Sequence, residues 1–245
     1  MNTALLLCGG VGSRLQSDIP KQYIEVSGKM IVSYALEALA KTALIDAIHI
    51  VAEFEWRERI IADAQKHGIC TDKIVDFAVP GSSRQASIFN GLQNILCSKS
   101  EIADMEKAGS DDTVMIHDAV RPLLFQKQIE KCFAMLCGHD GVIPVLPMKD
   151  TVYFSDNGKT ITDLMEREKI YAGQAPEVFN LRKYYQANLE LMPDRLEKIN
   201  GSTEPAIIAG MDIAMIDGDE NNFKITTNAD LERFKEIVKH HKEWK

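Results

Sequence analysis

The stretch Ala4–Arg14, which reads ALLLCGGVGSR, joins a short apolar run to a loop that contains three glycines. An apolar run that ends in a glycine turn is typical of a buried strand in an α/β protein. Glycines at a strand end let backbone N–H groups approach phosphate oxygens, because no Cβ stands in the way. Arg14, and Lys21 further along, could neutralise such phosphates. The stretch predicts a first strand that leads into an anion-binding loop, and the alternative is a tight turn with surface charges.

Apolar, β-branched runs alternate with segments of helical period along most of the chain. Predicted strands are Ala4–Leu7, Ala47–Val51, Lys73–Phe77, Thr113–Ile116 and Gly141–Val145. Predicted helices are Met30–Lys41, Glu55–His67, Arg84–Leu96, Lys127–Leu136 and a C-terminal helix with Asn228 as its N-cap. Strands that alternate with helices form parallel sheets through crossover connections. We therefore expect an α/β fold: a doubly wound, mostly parallel, Rossmann-like sheet with helices on both faces and ligands beyond the carboxyl ends of its strands.

Residues 148–171 interrupt this alternation. Asp156-Asn157-Gly158 is a hairpin turn signal between Thr151–Phe154 and Thr160–Leu164. We predict a projecting β-arm, which would expose backbone edges and apolar side chains for a second subunit to cover. The chain shows no internal repeat or low-complexity tract, and residues 1–245 are interpreted as one domain that carries this arm.

Composition and charge narrow the class of protein. The chain has 245 residues, of which 45% are hydrophobic and 26% charged, as in ordinary globular proteins. Its 28 basic and 36 acidic residues give a net charge of −8, which disfavours binding to nucleic acid. No apolar run is long enough for a membrane span. The five cysteines form no Cys-x-x-Cys pair, which indicates reduced thiols and a cytoplasmic protein.

Several well-known site motifs do not fit. A dinucleotide fingerprint that starts at Gly10 would need glycine at position 15, where the chain has Leu15. A Walker-type loop needs Ser or Thr after Gly-Lys, but Gly28-Lys29 is followed by Met30. The chain has no G-x-S-x-G elbow, and its histidines lack metal-ligand spacing. The glycine loop is therefore expected to bind a nucleotide in another way.

Two further segments lie where the strands of such a sheet would end. Pro80–Ser87 (PGSSRQAS) precedes a helix, whose N-terminus attracts anions or a polar base edge, although capping by a serine is the alternative. Met115–Pro122 (MIHDAVRP) places Asp118 at a strand end, where its carboxylate could hold Mg²⁺ against a triphosphate. A simple pair between Asp118 and Arg121 is the alternative there. The polar segments Tyr171–Pro176 and Asn222–Thr227 each look like a turn on their own.

The order of the motifs is distinctive: G-G-V-G-S-R, P-K-Q-Y, G-S-S-R-Q-A-S, H-D-A-V-R-P, K-D-T, G-Q-A-P and F-K-I-T-T-N-A-D-L. It resembles the family containing 2-C-methyl-D-erythritol 4-phosphate cytidylyltransferase and D-ribitol 5-phosphate cytidylyltransferase, over nearly the whole chain. The resemblance implies an enzyme that uses a divalent cation such as Mg²⁺ to transfer CMP from CTP to a small polyol phosphate. H-D-A-V-R-P, G-S-S-R and Y-x-G-Q look more like the ribitol phosphate branch. Alternatives are the methylerythritol acceptor, a sugar-1-phosphate nucleotidyltransferase, and a nucleotide sensor without turnover.

The resemblance also implies roles for individual residues. The catalytic cations would be Arg14, Lys21 and Lys224. The residues that hold the nucleotide would be Leu7, Gly9, Gly10, Gly12, Gly81, Ser87 and Asp118, with Asp118 also near the metal ion. The residues that bind the acceptor would be Arg121, Thr151 and Arg167, the last two from the β-arm, through which family members commonly form homodimers. Two segments depart from the family pattern, since Ala175 replaces a threonine and Gly201–Pro205 differs from the usual loop.

Overall fold

The computed structural model describes residues 1–10, 19–98 and 111–240. The strands are β1 (Asn2–Leu7), β2 (Glu25–Val26), β3 (Lys29–Met30), β4 (Ala47–Val51), β5 (Ile74–Ala78), β6 (Thr113–Asp118), β7 (Gly141–Pro147), β8 (Tyr153–Phe154), β9 (Asp163–Leu164), β10 (Tyr171–Gly173), β11 (Glu177–Asn180) and β12 (Ile213–Asp217). The helices are α1 (Ile31–Lys41), α2 (Phe54–Lys66), α3 (Arg84–Ser98), α4 (Gln126–Leu136), α5 (Leu181–Leu189), α6 (Glu204–Ile208) and α7 (Asn228–His240). Short 3₁₀ turns occur at Lys21–Tyr23, Arg167–Lys169 and Leu196–Lys198.

Eight of these strands form one mixed sheet. Strands β6, β1, β4 and β5 lie side by side and run parallel. Strand β11 runs antiparallel between β6 and β7, while β10 and β12 also pair with β7, antiparallel and parallel respectively. Every residue of β4 and β6 is buried, as expected for strands with both faces covered. The predicted mostly parallel sheet is confirmed, and the antiparallel insertion of β11 is a feature that the sequence pattern did not predict.

Alternate residues of β1 face opposite helical layers, because side chains alternate across a strand. Leu6 packs in one buried cluster with Leu36 of α1, and Leu5 packs in another with Ile88 of α3. Close approach of α3 to the sheet depends on Gly91, where a Cβ would come within 2.5 Å of a Leu5 methyl. Helices therefore cover both faces, as predicted, and the carboxyl edge of the sheet stays open. No helix within the described ranges is long and apolar enough to cross a membrane.

The predicted arm is present as a short hairpin. Strands β8 and β9 pair antiparallel through two residues each, so the strands are shorter than predicted. In the turn between them Gly158 has a φ of +67°, and the Asn157 side-chain oxygen accepts from the Lys159 and Thr160 N–H groups. Apolar side chains on this arm are exposed, for example Phe154 by 51% and Leu164 by 60%.

Helix α7 begins with a capping box, and its N-cap differs from the prediction. The Thr227 hydroxyl accepts from the Asp230 N–H at 3.2 Å, while an Asp230 carboxylate oxygen accepts from the Thr227 N–H at 2.8 Å. Reciprocal bonds of this kind identify the residue before the first helical turn as the cap. The N-cap is therefore Thr227, and the prediction of Asn228 was wrong by one residue. The same carboxylate also accepts from the Thr226 N–H at 2.9 Å, which holds the segment that enters the helix.

Candidate active site

A cleft of about 490 Å³ lies at the carboxyl edge of the sheet. It is lined by Leu7, Gly9, Gly10, Lys21, Gln22, Gly81, Ser82, Ser83, Arg84, Ser87, Asp118, Val120, Lys224 and Thr226. Leu7 and Asp118 are the last residues of the neighbouring strands β1 and β6, and Gly81 follows β5. The cleft therefore occupies the position where ligands of open α/β sheets bind.

The Pro20–Tyr23 segment fixes two carbonyls of the glycine loop by hydrogen bonds. The Gln22 amide donates to the Gly10 carbonyl at 2.8 Å and to the Cys8 carbonyl, which also accepts from the Tyr23 hydroxyl at 3.1 Å. Gln22 and Tyr23 are both buried, so these bonds are shielded from water. Lys21 precedes Gln22 in this segment, and its side chain also lines the cleft.

The Pro80–Ser87 segment contacts the glycine loop at Gly9 and folds closely on itself at Gly81. A Cβ at Gly9 would lie 2.6 Å from the Pro80 Cβ, and one at Gly81 would lie 2.9 Å from the Ser87 nitrogen. The Ser87 hydroxyl accepts from the Gly81 N–H at 3.0 Å and donates to the Ser83 carbonyl at 2.8 Å. A side chain at Gly9 would therefore collide with the Pro80 ring, and one at Gly81 with the backbone of its own segment. The serine hydroxyl fixes the turn that opens α3.

Asp118 forms ion pairs with two cationic side chains inside the cleft. Its Oδ1 accepts from Arg84 Nη2 at 2.9 Å and Nε at 3.2 Å, and its Oδ2 accepts from Lys224 Nζ at 2.8 Å. Burial alone would raise the pKa of Asp118, but the Arg84 and Lys224 charges outweigh burial and hold that pKa well below its usual value. The carboxylate is thus ionised, and it orders two cationic side chains that lie far apart in the chain.

Arg121 is not among the described residues that line the cleft, and it does not pair with the Asp118 carboxylate. Its Nη1 donates to the Asn222 carbonyl at 2.7 Å, and its Nε has no hydrogen-bond partner among the described residues. Burial lowers the pKa of Arg121, and burial raises the pKa of the nearby Glu177 carboxyl. The alternative of a simple Asp118–Arg121 pair is therefore wrong, because Arg84 and Lys224 take that place.

The cleft contains most of the residues that the sequence singled out. Leu7, Gly9, Gly10, Lys21, Gly81, Ser87, Asp118 and Lys224 all line it. Arg14 and Gly12 lie outside the described residues. Thr151 and Arg167 are exposed on or beside the arm and are not among the described residues that line the cleft, and Arg167 Nη1 donates to the Lys149 carbonyl at 3.1 Å.

Sequence reasoning missed Arg84 and Gln22 as site residues. Arg84 belongs to the motif G-S-S-R, whose serines indicated only a helix cap. Gln22 belongs to P-K-Q-Y, in which Lys21 was the residue expected to bind phosphate. With Arg84, the charged side chains that line the described part of the cleft are three cations and one carboxylate. A protein with a net charge of −8 therefore offers a locally cationic cleft with exposed backbone, which suits a polyphosphate.

Known proteins resemble the chain along its whole length. The family model described as 2-C-methyl-D-erythritol 4-phosphate cytidylyltransferase matches residues 3–240. A protein of that name from Thermotoga neapolitana is 32% identical over 247 aligned positions, which cover 100% of this chain and 98% of the relative. A ribitol-5-phosphate cytidylyltransferase from Vibrio parahaemolyticus is 31% identical over 240 positions, which cover 97% and 96% of the two chains.

Solved structures share the fold. The 4-diphosphocytidyl-2C-methyl-D-erythritol synthase of Anaerococcus prevotii aligns with a TM-score of 0.78 at 21% identity, over 98% of this chain and 96% of the other. The 2-C-methyl-D-erythritol 4-phosphate cytidylyltransferase of Francisella tularensis aligns with a TM-score of 0.75 at 23% identity, over 96% and 98%. The similarity of fold therefore extends over nearly the whole chain.

Proposed function

The chain belongs to the 2-C-methyl-D-erythritol 4-phosphate cytidylyltransferase family, and we propose that its cleft transfers CMP from CTP to D-ribitol 5-phosphate, giving a CDP-alditol and pyrophosphate. It is a nucleotidyltransferase, and its relatives carry the names of two acceptors. The H-D-A-V-R-P, G-S-S-R and Y-x-G-Q segments favour the ribitol phosphate acceptor. The similarity to the Thermotoga neapolitana protein supports 2-C-methyl-D-erythritol 4-phosphate as the second candidate.

The observation that supports this proposal most is the convergence of Lys21, Arg84 and Lys224 on one cleft. Both substrates are anions, and they repel each other as they approach. Fixed cations reduce that repulsion and stabilise charge that grows on the leaving group. Because the side chains are already held in place, little reorganisation is needed during the reaction.

The reaction is an in-line displacement at the α-phosphorus of CTP. An ionised oxygen of the acceptor phosphate forms the new P–O bond while the bond to the β-phosphate oxygen breaks, and pyrophosphate leaves with that electron pair. No general base is needed, since the attacking oxygen carries no proton. Arg14, Lys21 and Lys224 would stabilise the transition-state charge, and the glycine loop, including Gly12, would hold the phosphates through its N–H groups.

The donor set at Asp118 fits a magnesium ion. The carboxylate is ionised, lies in the cleft, and has two oxygens that can each take a further ligand beside the cations they now accept from. Mg²⁺ is usually held by one or two carboxylates together with substrate phosphate oxygens, so a single aspartate suffices. When bound, the ion would neutralise phosphate charge and favour departure of pyrophosphate. The residue that would hold it is Asp118.

The nucleoside and the acceptor would contact different parts of the chain. Gly81 and Ser87, at the start of α3, would meet the cytosine. Arg121, with Thr151 and Arg167 from the arm, would bind the acceptor phosphate. Because Thr151 and Arg167 do not line the described part of the cleft of their own chain, the arm would serve the cleft of a second copy.

A homodimer through the arm follows from the same proposal. The exposed Tyr153, Phe154, Ile161 and Leu164 are apolar side chains that a second subunit would cover. We further propose that residues 1–245 act as one domain in the cytoplasm, where CTP is available and cysteines stay reduced.

The test is a pyrophosphate-release assay that offers CTP, UTP, GTP or dTTP, with Mg²⁺, against D-ribitol 5-phosphate and 2-C-methyl-D-erythritol 4-phosphate. The proposal expects the highest kcat/KM for CTP with D-ribitol 5-phosphate. A clear preference for the methylerythritol substrate would select the second candidate. Preference for another nucleotide would indicate a different nucleotidyltransferase, and no release with any pair would indicate a nucleotide sensor.

A further inference from the structure

The side-chain amide of Gln174 makes two hydrogen bonds to the backbone of Asp219, in a loop that is distant in the chain. Its Oε1 accepts from the Asp219 N–H at 2.9 Å, and its Nε2 donates to the Asp219 carbonyl at 3.0 Å. Gln174 is only 6% exposed, so both bonds are shielded from competing water. The loop passes so close that a Cβ at Gly218 would come within 2.3 Å of the same Oε1. The segment Tyr171–Pro176, which looked like a turn in the sequence, therefore anchors another part of the chain.

A second buried amide, that of Asn222, joins the same two segments, but here the side chain belongs to the loop and the backbone acceptor to the Tyr171–Pro176 segment. The Asn222 Nδ2 donates to the Ala175 carbonyl at 2.7 Å, and its backbone N–H donates to the Asp219 carbonyl at 3.0 Å. Asn222 is 2% exposed. Since the bond goes to a backbone carbonyl, it does not depend on the side chain at position 175, where the family usually has threonine. The loop of residues 219–222 is thus held at both ends by side-chain amides.

The loop fixed in this way supports two cations of the site. The Asn222 carbonyl accepts from Arg121 Nη1 at 2.7 Å. Two residues later Lys224 reaches Asp118 Oδ2 at 2.8 Å, and the Ile225 N–H donates to the Val120 carbonyl at 2.9 Å. Neither Gln174 nor Asn222 lines the described part of the cleft. These amides are therefore placed to influence the reaction through the cations that the loop supports.

We propose that Gln174 and Asn222 are positioning residues, which set the places of Lys224 and Arg121 for cytidylyl transfer. The inference rests on the proposed function, because it assumes that Lys224 acts on the reacting phosphates. Loss of one amide lets the 219–222 loop shift and moves Lys224 relative to the α-phosphate. A displacement of roughly 1 Å in a catalytic site can cost about 10²-fold in rate.

The test compares Gln174→Met with Gln128→Met. Both variants keep the length of the side chain and remove a buried amide, and Gln128 donates to the Asp217 carbonyl at 3.4 Å in the same segment, before the loop. Gln174→Met is expected to lower kcat by about 10- to 100-fold with a smaller change in the KM for CTP. Gln128→Met is expected to stay within about threefold of wild type. Thermal midpoints of both variants, measured beside the kinetics, report any general loss of stability.

The same pair of measurements in a Lys224→Ala background shows whether Gln174 acts through the lysine. The additional loss from Gln174→Met should shrink there to within about threefold, because coupled residues are not additive. Equal losses in both backgrounds, or equal losses for Gln128→Met and Gln174→Met, would overturn the proposal. If Gln174→Met does not fold, Gln174→Glu takes its place, since it keeps the volume and the acceptor for the Asp219 N–H.

The outcomes separate this inference from the proposed function. Should Lys224→Ala lose activity while Gln174→Met keeps wild-type kcat, the positioning role fails and the cytidylyltransferase proposal stands. Should wild type release no pyrophosphate, the proposed function fails and the inference fails with it. Should Lys224→Ala keep full turnover, the inference fails alone, because Gln174 then has no catalytic lysine to position.

Discussion

Lys224 Nζ lies 2.8 Å from Asp118 Oδ2, although the two residues are 106 positions apart in the chain. Asp118 ends the strand β6, and Lys224 comes from the loop before α7. The pair brings the C-terminal part of the chain to the carboxyl edge of the sheet, beside Lys21 and Arg84. The cationic cleft is therefore a product of the whole fold.

Removal of the negative charge of Asp118 should disorder the cations around it. In Asp118→Asn, Arg84 and Lys224 lose the carboxylate that orders them, and a bound Mg²⁺ loses its protein ligand. We expect kcat to fall on the order of 10²-fold or more, with a higher Mg²⁺ concentration for half-maximal rate. A Mg²⁺ titration of the steady-state rate measures both. Asp212→Asn, at an exposed aspartate paired with His139, is the control and should behave as wild type.

Substitution of Arg167 should change the KM for the acceptor and leave the KM for CTP unchanged. If its guanidinium binds the acceptor phosphate equally in the ground state and the transition state, Arg167→Ala raises the acceptor KM while kcat changes little. Steady-state kinetics with the acceptor varied at saturating CTP provide the measurement. Arg182→Ala, on the exposed side of α5, is the matched control. An unchanged acceptor KM in Arg167→Ala would remove this residue from the site.

The arm should control the oligomeric state. Leu164→Asp places a charge on an apolar side chain that is 60% exposed in one copy of the chain, and in a dimer this charge would be buried. We expect the variant to sediment as a monomer at concentrations where wild type is a dimer. Phe54→Asp, at a side chain that is 83% exposed on α2, should leave the dimer intact. A monomeric wild type, or an unchanged mass for Leu164→Asp, would contradict the role of the arm.

The capping box of α7 should contribute stability that depends on pH. Burial alone would raise the pKa of Asp230, but hydrogen bonds from Thr226 and Thr227 outweigh it and lower the pKa to about 2. A carboxyl group with a lowered folded-state pKa stabilises the protein above its unfolded pKa and loses that contribution as the pH falls towards 2. Asp230→Asn should therefore cost about 1 kcal/mol of unfolding free energy at pH 7.

Urea denaturation at several pH values measures this effect. The difference between wild type and Asp230→Asn should shrink below about pH 4, where the unfolded-state carboxyl begins to take up its proton. Asp156→Asn, at the exposed tip of the arm, is the matched surface control for an aspartate-to-asparagine change. A constant difference across the pH range would mean that the carboxylate charge is not the stabilising feature of the box.

The strands β1, β4, β5, β6 and β7 and the helices α1 to α4 and α7 were predictable because their patterns are local. Buried runs such as Ala47–Val51 and amphipathic helices such as Ile31–Lys41 can be recognised within one window of sequence. Strand β11 could not be recognised in this way, because its four residues begin with Glu177 and show no alternation. Its insertion between β6 and β7 depends on pairing with two strands that lie far away in the chain.

Site residues were predictable where the residue types of a local motif indicate a ligand. They were missed where the role depends on contacts between segments that are far apart in the chain. Lys21 and Asp118 stand in motifs whose residue types suggest phosphate and metal binding. Gln174 and Asn222 looked like turn residues, since nothing in either segment shows that Gln174 reaches across 45 positions to Asp219. Arg84 was not recognised because the serines before it can cap a helix, so the segment could be explained without a bound ligand.

Steady-state turnover of Lys21→Ala, with CTP, Mg²⁺ and D-ribitol 5-phosphate, tests most directly whether converging cations perform the transfer. Lys239→Ala, at an exposed lysine on α7, is the matched control. The account predicts a fall in kcat on the order of 10²–10³ for Lys21→Ala and a wild-type rate for the control. Near-normal turnover of Lys21→Ala would contradict it.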